Sequence, residues 1–190
     1  MSQRPVFVIT GPSGAGKGTL MDRLVARVPG LEVAVSATTR LQRPGEEDGR
    51  EYWFLSEVDF ARRVAAGEFL EHVTYVSGRR YGTLRSEIAR ILARGHACML
   101  ELETRGALTV RDEVPAAVTI FVTAPLQELE RRLRARATES DGEIGERLAL
   151  ASRQLEEAGE FDHVVVNDDI DRATEELAAL VEQALEPVSP

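Results

Sequence analysis

The stretch Gly11-Pro-Ser-Gly-Ala-Gly16-Lys17-Gly-Thr19 constrains this chain more than any other. Before it runs Val6–Thr10, a short, mostly β-branched segment that reads as a buried strand. After it, Leu20, Leu24 and Val28 recur at helical spacing through Lys17–Val28, until Pro29-Gly30 stops the pattern. A glycine loop that leaves a strand and opens a helix is the setting of a phosphate-binding P-loop. Glycines let backbone N–H groups converge on phosphate oxygens, the helix N-terminus adds partial positive charge, and the lysine reaches the β- and γ-phosphates. Lys17 is the single lysine among 23 lysines and arginines, so a chain otherwise committed to arginine keeps lysine here alone. Gly11, Pro12, Ser13, Gly14, Ala15, Gly16, Lys17, Gly18 and Thr19 are therefore the expected triphosphate site.

One departure narrows the class. GTPases and motor-type ATPases hang Mg²⁺ on a hydroxyl directly after the lysine. Here that position is Gly18, and the hydroxyl comes one place later as Thr19. The expectation is a metal held mainly by nucleotide phosphates and water, with no direct protein ligand. An Asn-Lys-x-Asp guanine-reading element would need a second lysine, which argues against a GTPase.

Strand candidates recur at Ala97–Leu102, Val118–Thr123 and His163–Val166. Helical patterns at Ser86–Arg94, Pro125–Ala135, Glu143–Ala158 and Asp171–Leu185 separate or flank them. This alternation implies an α/β fold with a parallel sheet flanked by helices. Residues 37–85 break the rhythm with aromatic clusters (Tyr52-Trp53-Phe54, Phe69 to Tyr75, Tyr81), a hairpin signal at Ser77-Gly78 and a capping-box-like Ser56-x-x-Asp59. They read as an antiparallel insertion. The polar stretch Thr138–Gly142 reads as a mobile lid. The expected organisation is a domain over 4–185, with core at 4–36 and 86–185, insertion at 37–85, lid at about 134–147 and tail at 186–190.

At 190 residues and 43% hydrophobic, the chain suits one domain with a full core. Its net charge of −9 argues against a nucleic-acid or acidic-membrane binder. No apolar run approaches the roughly 20 residues of a membrane span, and the N-terminal apolar stretch is too short for a signal peptide. A lone Cys98 fits a reducing cytosol. His72, His96, His163 and Cys98 show no metal-ligand spacing and read as structural.

Several separate stretches then fall in order: ITGPSGAGKGTL, SATTRLQRPGEEDGREYWF, GEFLEH, RRYGT, RLRARATES and VVVNDD. Together they resemble the guanylate kinase family from roughly Arg4 to Leu185. The resemblance implies a P-loop NTPase-type core with a GMP-binding insertion and a lid. It also implies transfer of the γ-phosphoryl of ATP to GMP, giving ADP and GDP in purine nucleotide metabolism, with Mg²⁺ accompanying ATP. By position, Glu71 matches the guanine-reading glutamate, and Ser36 and Thr83 the hydroxyls completing the base pocket. Arg40, Arg43, Tyr52 and Tyr81 match the clamp on the GMP phosphate. Lys17, Arg40, Arg136 and Arg147 match groups that neutralise the transferred phosphoryl, and Asn167 matches a contact to adenine.

Glu101 and Glu103, two apart on the expected strand and so on one face, match positions near Mg²⁺ and the GMP end. The family commonly carries aspartates there, a glutamine where Arg105 stands, and glycines where Ala135 and Ala137 flank Arg136. Pairing of the two glutamates with nearby arginines is the plainer alternative for them. Two other functions stay open: a catalytically inactive interaction module of the same fold, and a P-loop kinase for another small phosphorylated acceptor. Use of dGMP, and monomer against homodimer, are also open.

Overall fold

In the computed structural model, residues 4–75, 77–135 and 141–186 are described. Strand β1 (Val6–Thr10) is buried at every position. It can be so because it lies in the middle of a five-stranded sheet, where β2 (Leu31–Val33), β7 (Ala97–Glu101), β1, β8 (Ala117–Thr123) and β9 (His163–Val166) follow in spatial order. Every pairing in that sheet is parallel. Side chains alternate across it. Phe7 and Ile9 face one apolar cluster with Leu20 and Leu24 of α1 (Lys17–Arg27), Leu129 of α5 (Leu126–Ala135) and Leu177 and Val181 of α7 (Ile170–Leu185). Val6 and Val8 face the other, with Ile91 of α3 (Arg85–Ala93), Ala107 and Val110 of α4 (Thr104–Glu113) and Phe161. Helix α6 (Asp141–Glu156) packs on α5.

Residues 37–84 build a second, four-stranded sheet in the order β4 (Trp53–Phe54), β3 (Ala37–Thr38), β6 (Arg80–Leu84), β5 (Phe69–Thr74). Pairs β3–β6 and β5–β6 are antiparallel, and the expected hairpin is present, with Gly78 at φ 79° in its turn. The β3–β4 pair is parallel, so the sheet is mixed rather than wholly antiparallel. A parallel pair needs a crossover, and the long segment 39–52 supplies it. Helix α2 (Glu57–Ala65) lies on this sheet, its first turn closed by Ser56, whose Oγ accepts from the Asp59 N–H at 3.0 Å. Phe60 of α2 is fully buried and stacks on Phe69 with ring centroids 4.4 Å apart, in a small core with Ala37 and Leu84.

Three elements go beyond the sequence expectation. Strand β2 is too short for a period to register. Helix α4 carries Gly106, Thr104 and Thr109, all weak helix formers, and is held by burial of Ala107 and Val110 instead. For helix α2 the sequence marks the cap at Ser56 but not the body that follows. The lid expected at about 134–147 is described only at its ends, where α5 stops at Ala135 and α6 begins at Asp141; Arg136 and Ala137 lie outside the described residues. No helix among the described residues is long and apolar enough to cross a membrane.

The second sheet's small core generates a stability prediction. Phe60→Ala removes a fully buried ring and should cost about 3–5 kcal/mol. Urea denaturation measures the loss, and amide exchange should show the second sheet opening ahead of β1 and β8. A loss below about 1 kcal/mol would mean that Phe60 does not hold this unit together.

Candidate functional site

The chain leaves β1 at Gly11, with φ 133°, and a Cβ there would sit 1.9 Å from the Val122 carbonyl oxygen. Only glycine permits that approach. Gly14 and Gly16, at φ 88° and 85°, complete the loop, and Gly16 is the N-cap of α1. No side chain caps this helix and its first turn holds no acidic residue, so its N–H groups and positive end face the loop. Lys17 folds over the loop. Its Nζ donates to the carbonyls of Gly11 at 2.9 Å and Pro12 at 3.3 Å and lies 3.7 Å from Glu101 Oε1. Glu101 reaches it from the end of β7, the strand beside β1.

Other elements buttress the loop. Arg147 of α6 donates from Nη1 to Ser13 Oγ at 3.0 Å. Asn167, just past β9, is 2% exposed and donates from Nδ2 to the Ala15 carbonyl at 2.7 Å, while its buried Oδ1 has no hydrogen-bond partner. Arg132 of α5 was not singled out from sequence, since it is one of several arginines in LERRLRAR. Its Nη1 reaches the Gly14 carbonyl at 3.4 Å, its Nη2 the Asn167 carbonyl at 2.9 Å and its Nε Glu128 at 2.6 Å. The guanidinium thus joins α5, the P-loop and the end of β9.

A cleft of about 1230 Å³ runs from this loop to the second sheet. Gly11, Lys17 and Glu101 line the core side, and Tyr52, Glu71 and Tyr81 the facing side; Ser36, between the two sheets, also opens onto it. Glu71 is partly buried, and burial pushes its carboxyl above the usual carboxylate range. Thr83, 1% exposed, donates from Oγ1 to Glu71 Oε1 at 2.9 Å and opposes part of that rise. Tyr52 and Tyr81 meet edge to face, 5.9 Å between centroids, and burial raises the Tyr52 phenol.

The two arginines expected on the acceptor phosphate stand aside from this cleft, and Thr83 lies buried behind Glu71. Arg40 and Arg43 do not line the cleft. The Arg40 guanidinium, 8% exposed, makes a two-pronged ion pair with Glu46 at 2.8 and 3.0 Å and lies 5.2 Å from the Tyr52 ring centroid. Its hydrogen bonds to Glu46 strengthen its own charge and hold the Glu46 carboxyl below its ordinary range. Arg43 meets the same carboxylate through its backbone N–H at 2.8 Å. Glu101 and Glu103 do not share a strand, because β7 ends at Glu101 and Glu103 is the N-cap of α4. Both still line the cleft, paired with Lys17 and with the Tyr75 hydroxyl at 2.8 Å rather than with arginines.

Phosphate-binding geometry at the carboxyl ends of a parallel sheet, facing a pocket with a desolvated carboxylate, suits a two-substrate phosphoryl-transfer site. Comparison with known proteins agrees. The sequence profile of the guanylate kinase family matches residues 2–184. The chain is 47% identical over 182 residues to a guanylate kinase of Rubrobacter xylanophilus, covering 95% of both chains. It is 46% identical over 177 residues to one of Symbiobacterium thermophilum, covering 93% of this chain and 83% of that one. A crystal structure of guanylate kinase from Anaplasma phagocytophilum superposes with a TM-score of 0.73 at 26% identity, over 99% of this chain and 90% of that one. A shikimate kinase from Bacteroides thetaiotaomicron, 14% identical with a TM-score of 0.51, shares the fold. From the P-loop through Glu71 to the end of β9, this chain belongs to the guanylate kinase family.

Proposed function

We propose that the chain transfers the γ-phosphoryl of ATP to GMP, with the P-loop as donor site and the second sheet as acceptor site. The observation that carries this reading is Glu71, a carboxylate held by Thr83 across the cleft from Lys17. Guanine offers N1–H and an N2 amino group side by side, and a carboxylate can accept from both. Those donors would meet the charge that burial disfavours. The phenols of Tyr52 and Tyr81 would donate to the acceptor phosphate without adding charge. That phosphate would compete with Glu46 for the Arg40 guanidinium, whose planar fork pairs well with phosphate.

On the donor side, Lys17, the loop N–H groups and Arg147 would neutralise charge on the migrating group. Arg136, the other lid arginine, is proposed for the same task by resemblance. An oxygen of the GMP phosphate attacks the γ-phosphorus in line, and the bond to the β,γ-bridging oxygen breaks, releasing ADP. The chain's contribution is alignment and electrostatics, and closure keeps water from the phosphoryl group. The Asn167 Oδ1 that lacks a partner would accept from the exocyclic amine of adenine.

Mg²⁺ fits the donors present, since Ser13 and Glu101 offer hard oxygens beside the loop. We propose that it enters with ATP, held mainly by phosphates and water, with Glu101 in its outer shell. There it would supply charge neutralisation on the triphosphate. The same reading places the chain in the reducing cytosol, where its one thiol, Cys98, is buried and pushed up to about 12.

Two measurements test the roles. Adenine presents an acceptor where guanine presents N1–H, which would leave Glu71 unpaired, so kcat/KM for GMP should exceed that for AMP by at least about 10³. Comparable turnover of AMP would remove Glu71 from the base pocket. Lys17→Arg replaces a compact ammonium by a wide planar fork inside a glycine-lined loop. It should leave the melting temperature near wild type and lower kcat at least about 10²-fold, a barrier rise of about 3 kcal/mol. Retention of kcat within a few-fold would show that Lys17 does not act on the transferred group.

A further inference from the structure

Tyr75 plays no part in the reading above, yet its phenol spans the cleft. It stands at the end of β5, in the turn of the β5–β6 hairpin. Its N–H donates to the Arg79 carbonyl at 2.9 Å, and its carbonyl accepts from the Gly78 N–H at 2.8 Å, so its backbone is fixed. Its ring meets Tyr81 edge to face at 5.2 Å, and Tyr81 meets Tyr52 in the same way at 5.9 Å, making a row of three phenols along the second sheet's wall. From that row the Tyr75 hydroxyl reaches the core, where it donates to Glu103 Oε1 at 2.8 Å.

Glu103 suits the part it plays. As N-cap of α4 it makes no side-chain cap to its own helix, so its carboxylate is turned to the tyrosine. Burial and the adjacent Glu103 raise the Tyr75 phenol, which keeps it a donor at every physiological pH. Nearer the connections between the sheets, Leu70 packs with Leu102 and Ala107, and the Val35 N–H donates to the buried Glu87 at 3.1 Å. The Tyr75–Glu103 bond adds a directional tie at the hairpin end, farther from those connections.

We propose that Tyr75 is a positioning residue for the acceptor nucleotide: its bond to Glu103 holds the second sheet against α4 before substrate arrives. Glu71 and Lys17 then face each other across the cleft with the second sheet held in place. Apparent affinity scales with the fraction of molecules already in the competent setting, so the tie raises acceptor affinity without touching the acceptor. This consequence rests on the GMP reading of the cleft, whereas the tie itself does not.

Tyr75→Phe keeps the ring row and deletes only the bond, and Glu103→Ala deletes the other half. Spin labels at Val58→Cys, which is 78% exposed on α2, and Asp22→Cys on α1 report the separation of the second sheet from the core, with Cys98 buried beyond labelling. Without nucleotide, pulsed dipolar spectroscopy should give a longer and broader distance distribution in either variant than in the parent. Calorimetry with GMP should show affinity weakened about 3- to 10-fold by Tyr75→Phe, the range for the net loss of one ordinary hydrogen bond. At saturating GMP its kcat should stay within about twofold. The two substitutions combined should do no more than one alone. Distance distributions that match the parent, or an unchanged GMP affinity, would overturn the proposal. Failure of the parent itself to bind GMP would strike at the proposed function, and the nucleotide-free distances would still decide the tie.

Discussion

The approach of Gly11 to the Val122 carbonyl sets the rest of the site. A Cβ at that point would stand 1.9 Å from the oxygen, so β1 and β8 close together at their carboxyl ends only because the side chain is absent. From that point the chain must turn sharply, and the turn delivers α1 with its N-terminus uncapped by any side chain. The free N–H groups, the positive helix end and Lys17 therefore converge on one small volume. The neighbouring strands of β1 then determine which side chains can reach it. Glu101 comes from β7 on one side, and Asn167 from beyond β8 on the other, at the end of β9.

The opposite wall follows a different logic, in which polar groups are held at some cost until a ligand meets them. Glu71 is a carboxyl raised by burial. A group whose folded value lies above its unfolded value favours folding at pH below the unfolded value and loses that contribution as pH rises through the folded one. In the free chain the Thr83 hydroxyl and backbone N–H offset part of the cost that desolvation puts on the ionised form. Arg40 is treated otherwise. Its guanidinium is nearly buried but paired with Glu46 and with the Leu41 carbonyl, so the acceptor phosphate meets a competitor already in place. One side of the acceptor pocket is only partly matched and the other is already filled.

Much of this was legible in the sequence, for reasons that differ from element to element. The strand, loop and helix around Lys17 could be read because glycine spacing, a buried β-branched run and a helical period all point to one geometry. Glu71, Ser36 and the tyrosines emerged from ordered resemblance, and the structure brings them to one cleft with Lys17. Arg132 was hidden because its position among neighbouring arginines carries no period. The pairing of Arg40 with Glu46 was hidden because a bidentate contact depends on how the 39–52 crossover folds. Helix α4 escaped because tertiary burial of Ala107 and Val110 overrides weak local propensity, and with it went the correct placing of Glu103.

The most direct measurement follows a labelled γ-phosphate from ATP in the presence of GMP. If the two walls of this cleft bind donor and acceptor as argued, the label appears in the β-position of GDP, in equal amount to ADP formed, and little is released as inorganic phosphate. Label found mainly as inorganic phosphate, or ADP formed at the same rate without GMP, would contradict the account.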